Sequence, residues 1–141
     1  MTRQEIVDQA KGYKGVRALH QGRTMKGIDC WGLIMCVATD FNLTPNLVKE
    51  FMNYPINPTS EMILSQAGKT GLEKIDRGNA GAGDIIILSS DRQARHIAIL
   101  TGTGTMIHVN RKVGRKGECI ESKPPPGWQI VRAYRFPGLE C

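Results

Sequence analysis

The second half of the chain constrains the fold most. GAGDIIIL (81–88), RHIAILT (95–101), TMIHVN (105–110), ECIES (118–122) and QIVRAYRF (129–136) are short and rich in β-branched residues, and Gly, Asp or Pro punctuates them. Such segments are strands joined by short turns. The first half reads differently. Thr2 with Glu5 is a capping box opening a helix that buries Ile6, Val7 and Ala10 and ends near Gly12. Residues 13–28, rich in glycine and polar residues, read as a loop. A second helix spans about Cys30 to Asp40, with Cys30, Ile34, Val37 and Phe41 on one stripe. Thr44-Pro45 opens a helix over 45–53, and Thr59 caps another that runs to about Ala67 before Gly68. Helices therefore precede a mostly antiparallel sheet of five to six strands. That is an α+β pattern rather than alternating βαβ units, and the helices need the sheet as their packing partner.

A chain of 141 residues makes a single domain, 1–141. Its size lets it bury roughly two-thirds of its unfolded surface. No apolar run approaches the ~20 residues of a membrane helix, so no membrane partner is expected. MTRQEIVDQAKGYKG has no apolar core of a secretion signal, so synthesis in a cytoplasm without such a signal is expected. The net charge of +6 and pI of about 9.4 favour an anionic partner. The basic residues cluster only in RKVGRK (111–116), with no interleaved aromatics to stack bases. A solvated loop is the expected reading there, and nucleic acid is not an expected partner. GKT (68–70) is not a phosphate-binding loop, because Ile63 stands where that motif needs glycine. Cys30, Cys36, Cys119 and Cys141 form no CxxC pair and no zinc spacing, so reduced thiols are expected. There is no GxSxG serine elbow either.

KGIDCWGLI (26–34) puts Asp29 and Cys30 where a loop becomes a helix. Unpaired N–H groups and the positive end of the helix dipole favour a thiolate there, and the thiolate is the nucleophile. A small buried hydrophobe is the competing reading of Cys30. A nucleophile needs a base, and the chain has three histidines: His20, His96 and His108. TGTGT (101–105) turns between the segments of the last two. With 102–104 as the loop, Thr101 pairs with Thr105 and Ala98 with His108. His96 and His108 then lie diagonally on one sheet face, about 7–8 Å apart at the backbone. One imidazole can take the proton of Cys30 while the other orients it. Two half-buried strand histidines with backbone partners are the competing reading. The start of the second helix can approach the histidine face, because an amphipathic helix buries its stripe against the sheet. A zinc site of Cys30, His96 and His108 is conceivable, although no recognisable ligand pair supports it.

GIDCWGLI, AGDIIIL followed by RHIAILTG, and MIHV together resemble the NlpC-type papain-like cell-wall cysteine peptidases, over residues 20 to 110. HQGR (20–23) resembles their phage tail-associated branch. The resemblance implies a papain-like fold, Cys30 as nucleophile, His96 as general base and then acid, and His108 as the third member orienting His96. It places Asp29 on the substrate-binding side of the cleft. It implies cleavage of an amide in peptidoglycan stem peptides, typically between γ-D-glutamate and a diamino acid, with no metal or organic cofactor. A phage-encoded chain would be tail-associated and act on the cell wall, with tail-tip proteins as partners. A structural tail component keeping the peptidase fold is the alternative. Three departures bear on this. Trp31 replaces the usual small serine, which alters the cleft beside Cys30. Ala18 or Leu19 falls where a tyrosine is common, and His20 is either a site neighbour or a loop histidine. The segment 44–67 is extra helical material that could shape specificity.

Overall fold

A computed structural model describes residues 2–43, 71–90, 93–110 and 117–139. The helices expected over 45–53 and 59–67, and the basic run 111–116, lie outside these residues. Helix α1 spans Arg3–Lys11. The Thr2 hydroxyl accepts the Glu5 N–H at 3.2 Å, as the capping box requires, and Ile6, Val7 and Ala10 are buried. Helix α2 spans Cys30–Asp40. All eight residues from Trp31 to Ala38 are buried, rather than a single stripe. The cause is packing on several sides, since α2 meets α1, both strands of a small ribbon and two strands of the main sheet. The Tyr13 hydroxyl donates to the Asp40 carboxylate at 2.6 Å and ties the chain after α1 to the end of α2.

That ribbon is β1 (Arg23–Thr24) with β2 (Gly27–Ile28), inside the stretch expected to be a loop. Two-residue strands are too short for alternation to show in sequence. The stretch is also tied to the main sheet. Gly15 N donates to Cys119 O, Cys119 N to Val16 O and Ala18 N to Gly117 O, each at 2.8 Å.

The main sheet contains β3 (Glu73–Ile75), β4 (Ile85–Ser90), β5 (Gln93–Leu100), β6 (Met106–Asn110), β7 (Glu118–Ser122) and β8 (Gln129–Arg135). The order is β3-β8-β4-β5-β6-β7, and every neighbouring pair is antiparallel. Strand β8 returns to pair with β4, which makes β4 internal. That position explains a strand without polar alternation, because both faces of β4 are covered. Ile85 and Ile87 join the larger core with the helices, Ile97, Ile99, Ile107 and Val109. Ile86 and Leu88 join a smaller cluster with Ala98, Met106 and Ala133.

Asp84, at 0 % exposure, locks the entry to β4. Its carboxylate accepts from Arg3 at 2.8 Å, from two nitrogens of Arg135 at 2.8 Å and from Gly81 N at 2.9 Å. One buried anion thus joins the start of α1, the end of β8 and the turn before β4. Gly83 in that turn has φ +79°, and a Cβ there would come within 2.6 Å of the Arg3 carbonyl oxygen. Only glycine fits both demands.

Candidate active site

The site begins at the cap of α2. Asp29 is the N-cap residue; its Oδ1 accepts from Gly32 N and its Oδ2 from Gln21 N, both at 2.7 Å. It is 7 % exposed. This pairing satisfies a first-turn N–H of the helix. It also holds Gln21 in the left-handed region at φ +57°. Asp29, expected on the substrate-binding side, is therefore a capping residue that ties the 19–22 turn to the helix start. The glycines follow from the same closeness. A Cβ on Gly32 would lie 1.9 Å from the Gly22 carbonyl oxygen, and one on Gly22 would lie 2.4 Å from the Gly27 carbonyl oxygen.

Cys30 is the first residue of α2, half-buried and packed against the larger core. As the first residue of α2 it lies at the positive end of the helix dipole. Cys30, Cys36 and Cys119 are not disulfide-bonded. Cys119 is the opposite case: burial, with Glu118 beside it, pushes its thiol up to about 12, so it is no nucleophile at neutral pH. Cys141 lies outside the described residues. Trp31 is 2 % exposed and sits in the larger core. Expected to shape the cleft as a substrate contact, it is turned inward instead, as part of the helix's packed surface. His20 is half-exposed on the turn between Leu19 and Gly22, next to the residue whose amide Asp29 holds.

His96 and His108 meet. His96 Nε2 and His108 Nδ1 are 2.7 Å apart, and the rings are nearly perpendicular at a centroid distance of 4.8 Å. The hairpin carries the expected three-residue loop: Thr101 N donates to Thr105 O, and Gly102 and Gly104 take φ of +88° and +84°. The ladder differs from expectation beyond it. It registers Ile99↔Ile107 and Leu100↔Met106 and does not continue to Ala98 and His108. The imidazole pair bridges β5 and β6 where their backbone pairing has stopped.

The face also differs from expectation. Alternation from Ala98 and Met106 puts both histidines on the smaller-cluster side, where Trp128 packs edge-on to His96 at 6.1 Å. The residues of α2 pack with the other side of the sheet. The helix stripe thus does not lie on the histidine face. Helix α2 packs against β5 and β6, the two strands whose backbone ladder ends after Ile99↔Ile107, before the histidines.

His108 Nε2 lies 2.7 Å from the Ser122 hydroxyl of β7, and that hydroxyl donates to the Lys123 carbonyl oxygen at 3.2 Å. Sequence reasoning missed Ser122 and Trp128. The register His108↔Ile120 puts Ser122 two residues along on the same face, a signal available once β6 and β7 are aligned. Burial, with the neighbouring His108 charge, brings His96 down to about 4. Burial also lowers His108. Both rings are therefore neutral at neutral pH and able to accept a proton. Among the described residues no group of three or more His, Cys, Asp or Glu side chains could hold a metal ion.

Comparison with known proteins decides the family. The chain matches the NlpC/P60 family over residues 15–129. It belongs to that family. It is 27 % identical over 124 residues to the murein DD-endopeptidase MepS/murein LD-carboxypeptidase of Escherichia coli K12, covering 88 % of this chain and 56 % of the relative. The chain thus spans little more than half the length of that curated protein. An NlpC/P60 family protein from Bacillus cereus superposes with a TM-score of 0.66 at 21 % identity, covering 96 % of this chain and 40 % of that one. The NlpC/p60 domain of the peptidoglycan hydrolase SagA gives a TM-score of 0.53 at 22 % identity, covering 85 % of this chain and 89 % of that domain. These similarities place the chain in the α+β papain-like fold of the family.

Proposed function

We propose that this domain is a cysteine peptidase that hydrolyses an amide in peptidoglycan stem peptides. The bond from γ-D-glutamate to a diamino acid is the expected one. The observation that carries the reading is a bonded imidazole pair on two adjacent strands, packed by the helix whose first residue is Cys30. In this mechanism the Cys30 thiol passes its proton to His96. The thiolate attacks the amide carbon, and the N-terminus of α2 stabilises the oxyanion. His96 then protonates the leaving amine, and water, deprotonated by the same ring, hydrolyses the thioester. His108 holds the His96 ring in orientation. The relative's endopeptidase and carboxypeptidase names support murein chemistry for this chain.

The test is digestion of purified peptidoglycan with mass identification of the fragments. Wild type should release cleaved stem peptides, and Cys30→Ala and His96→Ala should release none while keeping the wild-type circular dichroism. Release by Cys30→Ala at the wild-type rate would eliminate the mechanism. Alkylation by iodoacetamide at pH 7 should label Cys30 faster in wild type than in His96→Ala.

The HQGR motif supports a phage origin: a tail-associated enzyme that meets the cell wall from outside, with tail-tip proteins as partners and residues 44–67 shaping specificity. Purified tails containing the chain would support this placement, and purified virions without it would remove it. Trp31 in place of a small serine favours one alternative, a tail-assembly component with the fold and little activity. Lack of iodoacetamide labelling at Cys30 together with tail incorporation would favour that alternative.

A further inference from the structure

We propose that Ser122 is a positioning residue that fixes the direction of the hydrogen bonds through the two imidazoles, and so decides which nitrogen of His96 is bare. The proposal deepens the peptidase reading and rests on it for its catalytic consequence. The chain of hydrogen bonds runs inward from the edge strand β7. The Ser122 hydroxyl hydrogen goes to the Lys123 carbonyl oxygen at 3.2 Å. Its oxygen is then an acceptor toward His108, so His108 Nε2, 2.7 Å away, carries the proton and donates. A neutral imidazole protonated at Nε2 is bare at Nδ1. His108 Nδ1 must therefore accept, and the donor facing it at 2.7 Å is His96 Nε2–H. His96, neutral in its turn, is left bare at Nδ1. That is the nitrogen not engaged by His108, and the one available to receive a proton from a nucleophile.

Without the Ser122 acceptor this order loses its anchor. The mirror arrangement needs His108 protonated at Nδ1 and donating to His96 Nε2. His96 would then carry its own proton at Nδ1, and its bare nitrogen would be spent on His108. The two arrangements contain the same atoms and the same imidazole–imidazole bond. They differ at the outer end: Ser122 can bond His108 in both, but only the first leaves the hydroxyl hydrogen on the Lys123 carbonyl oxygen, because the mirror arrangement draws that hydrogen to the bare His108 Nε2.

The experiment is two-bond proton–nitrogen correlation of nitrogen-15-labelled histidine in the full chain at pH 7.5, which reads the tautomer of each ring directly. Wild type should show both His96 and His108 protonated at Nε2. Ser122→Ala should shift the His108 tautomer ratio toward Nδ1–H by roughly fivefold, the value of one neutral hydrogen bond. It should lower kcat on peptidoglycan fragments by a similar factor with KM unchanged. Ser122→Thr, which keeps the hydroxyl, should restore both. Wild-type His108 protonated at Nδ1 would overturn the proposal without any variant, as would unchanged tautomers in Ser122→Ala. Shifted tautomers with an unchanged kcat would also overturn it. If the tautomers behave as stated but wild type cleaves no peptidoglycan, the peptidase reading fails and the proton order stands.

Discussion

Replacing Asp29 separates two roles that sequence alone leaves confused. Its two oxygens each accept a backbone N–H at 2.7 Å, from Gly32 in the helix and from Gln21 in the turn, at 7 % exposure. Asp29→Ala removes an N-cap, which costs about 1 kcal/mol. It also leaves a second, part-buried donor, the Gln21 N–H, without its carboxylate, at about 1–3 kcal/mol when no water reaches it. Part of this returns as relief of the positive φ of Gln21, which costs on the order of 1 kcal/mol to hold. The net expectation is a loss of about 1–3 kcal/mol. Asp29→Ser keeps a good cap for Gly32 but is too short to hold Gln21 as well, so it should lose about half as much. Urea unfolding at pH 7, with equal m-values across the three proteins, is the assay. A residue serving only the substrate would behave otherwise: truncation would change stability by less than about 0.5 kcal/mol and act on KM. An Asp29→Ala midpoint within error of wild type would refute the capping role.

Three further outcomes follow from the same geometry. His96 titrates at about 4 in the fold against 6.5 when unfolded, so between those values the unfolded chain binds the extra proton. Stability from this group is complete above pH 6.5 and falls with acidification, so wild type should lose about 2 kcal/mol more than His96→Gln between pH 7.5 and pH 5; equal losses would contradict the burial of the ring. Asp84→Ala leaves Arg3 and Arg135 facing each other around an empty site and should cost about 3 kcal/mol in chemical denaturation; a cost under 1 kcal/mol would mean that water replaces the carboxylate. Gly32→Ala, normally favourable inside a helix by about 1 kcal/mol, should instead destabilise by about 2 kcal/mol, since its Cβ would meet the Gly22 carbonyl oxygen at 1.9 Å; a stabilised variant would show that the turn yields.

What sequence could reveal was set by the reach of each signal. Capping chemistry is local, so Thr2 with Glu5, and the helix start at Cys30, are legible within four residues. Side-chain alternation has a period of two and turn length fixes parity, so the pairing of His96 with His108 is legible across a turn of three residues. Signals that depend on distant partners are not. Asp29 looks like a site acid until Gln21 is seen at its second oxygen. Trp31 looks like a cleft residue until α2 is seen to be covered on several sides. The side of the sheet that α2 covers is fixed by long-range packing, and a stripe on one helix carries no information about it.

The end of the β5–β6 ladder ties these observations to chemistry. A continuous ladder would present the two imidazoles on one face of a closed sheet, with α2 on the other and the backbone between them. The ladder ends after Ile99↔Ile107 instead, one pair before the histidine that β6 carries. Backbone groups beyond the end of the ladder need other partners when buried. The imidazole bond at 2.7 Å and its continuation to Ser122 hold the strands in register there by side chains alone. Replacing His108 by Leu should therefore do more than lower activity. It should speed hydrogen exchange of the amides of Ile97 and Val109, which face across the two strands beyond the ladder, relative to Ile99 and Ile107, since the cross-link would be gone while the ladder pairs remain. Uniform exchange across all four amides in that variant would mean that the backbone holds the strands there without the imidazoles, and that the histidine pair has no part in holding them.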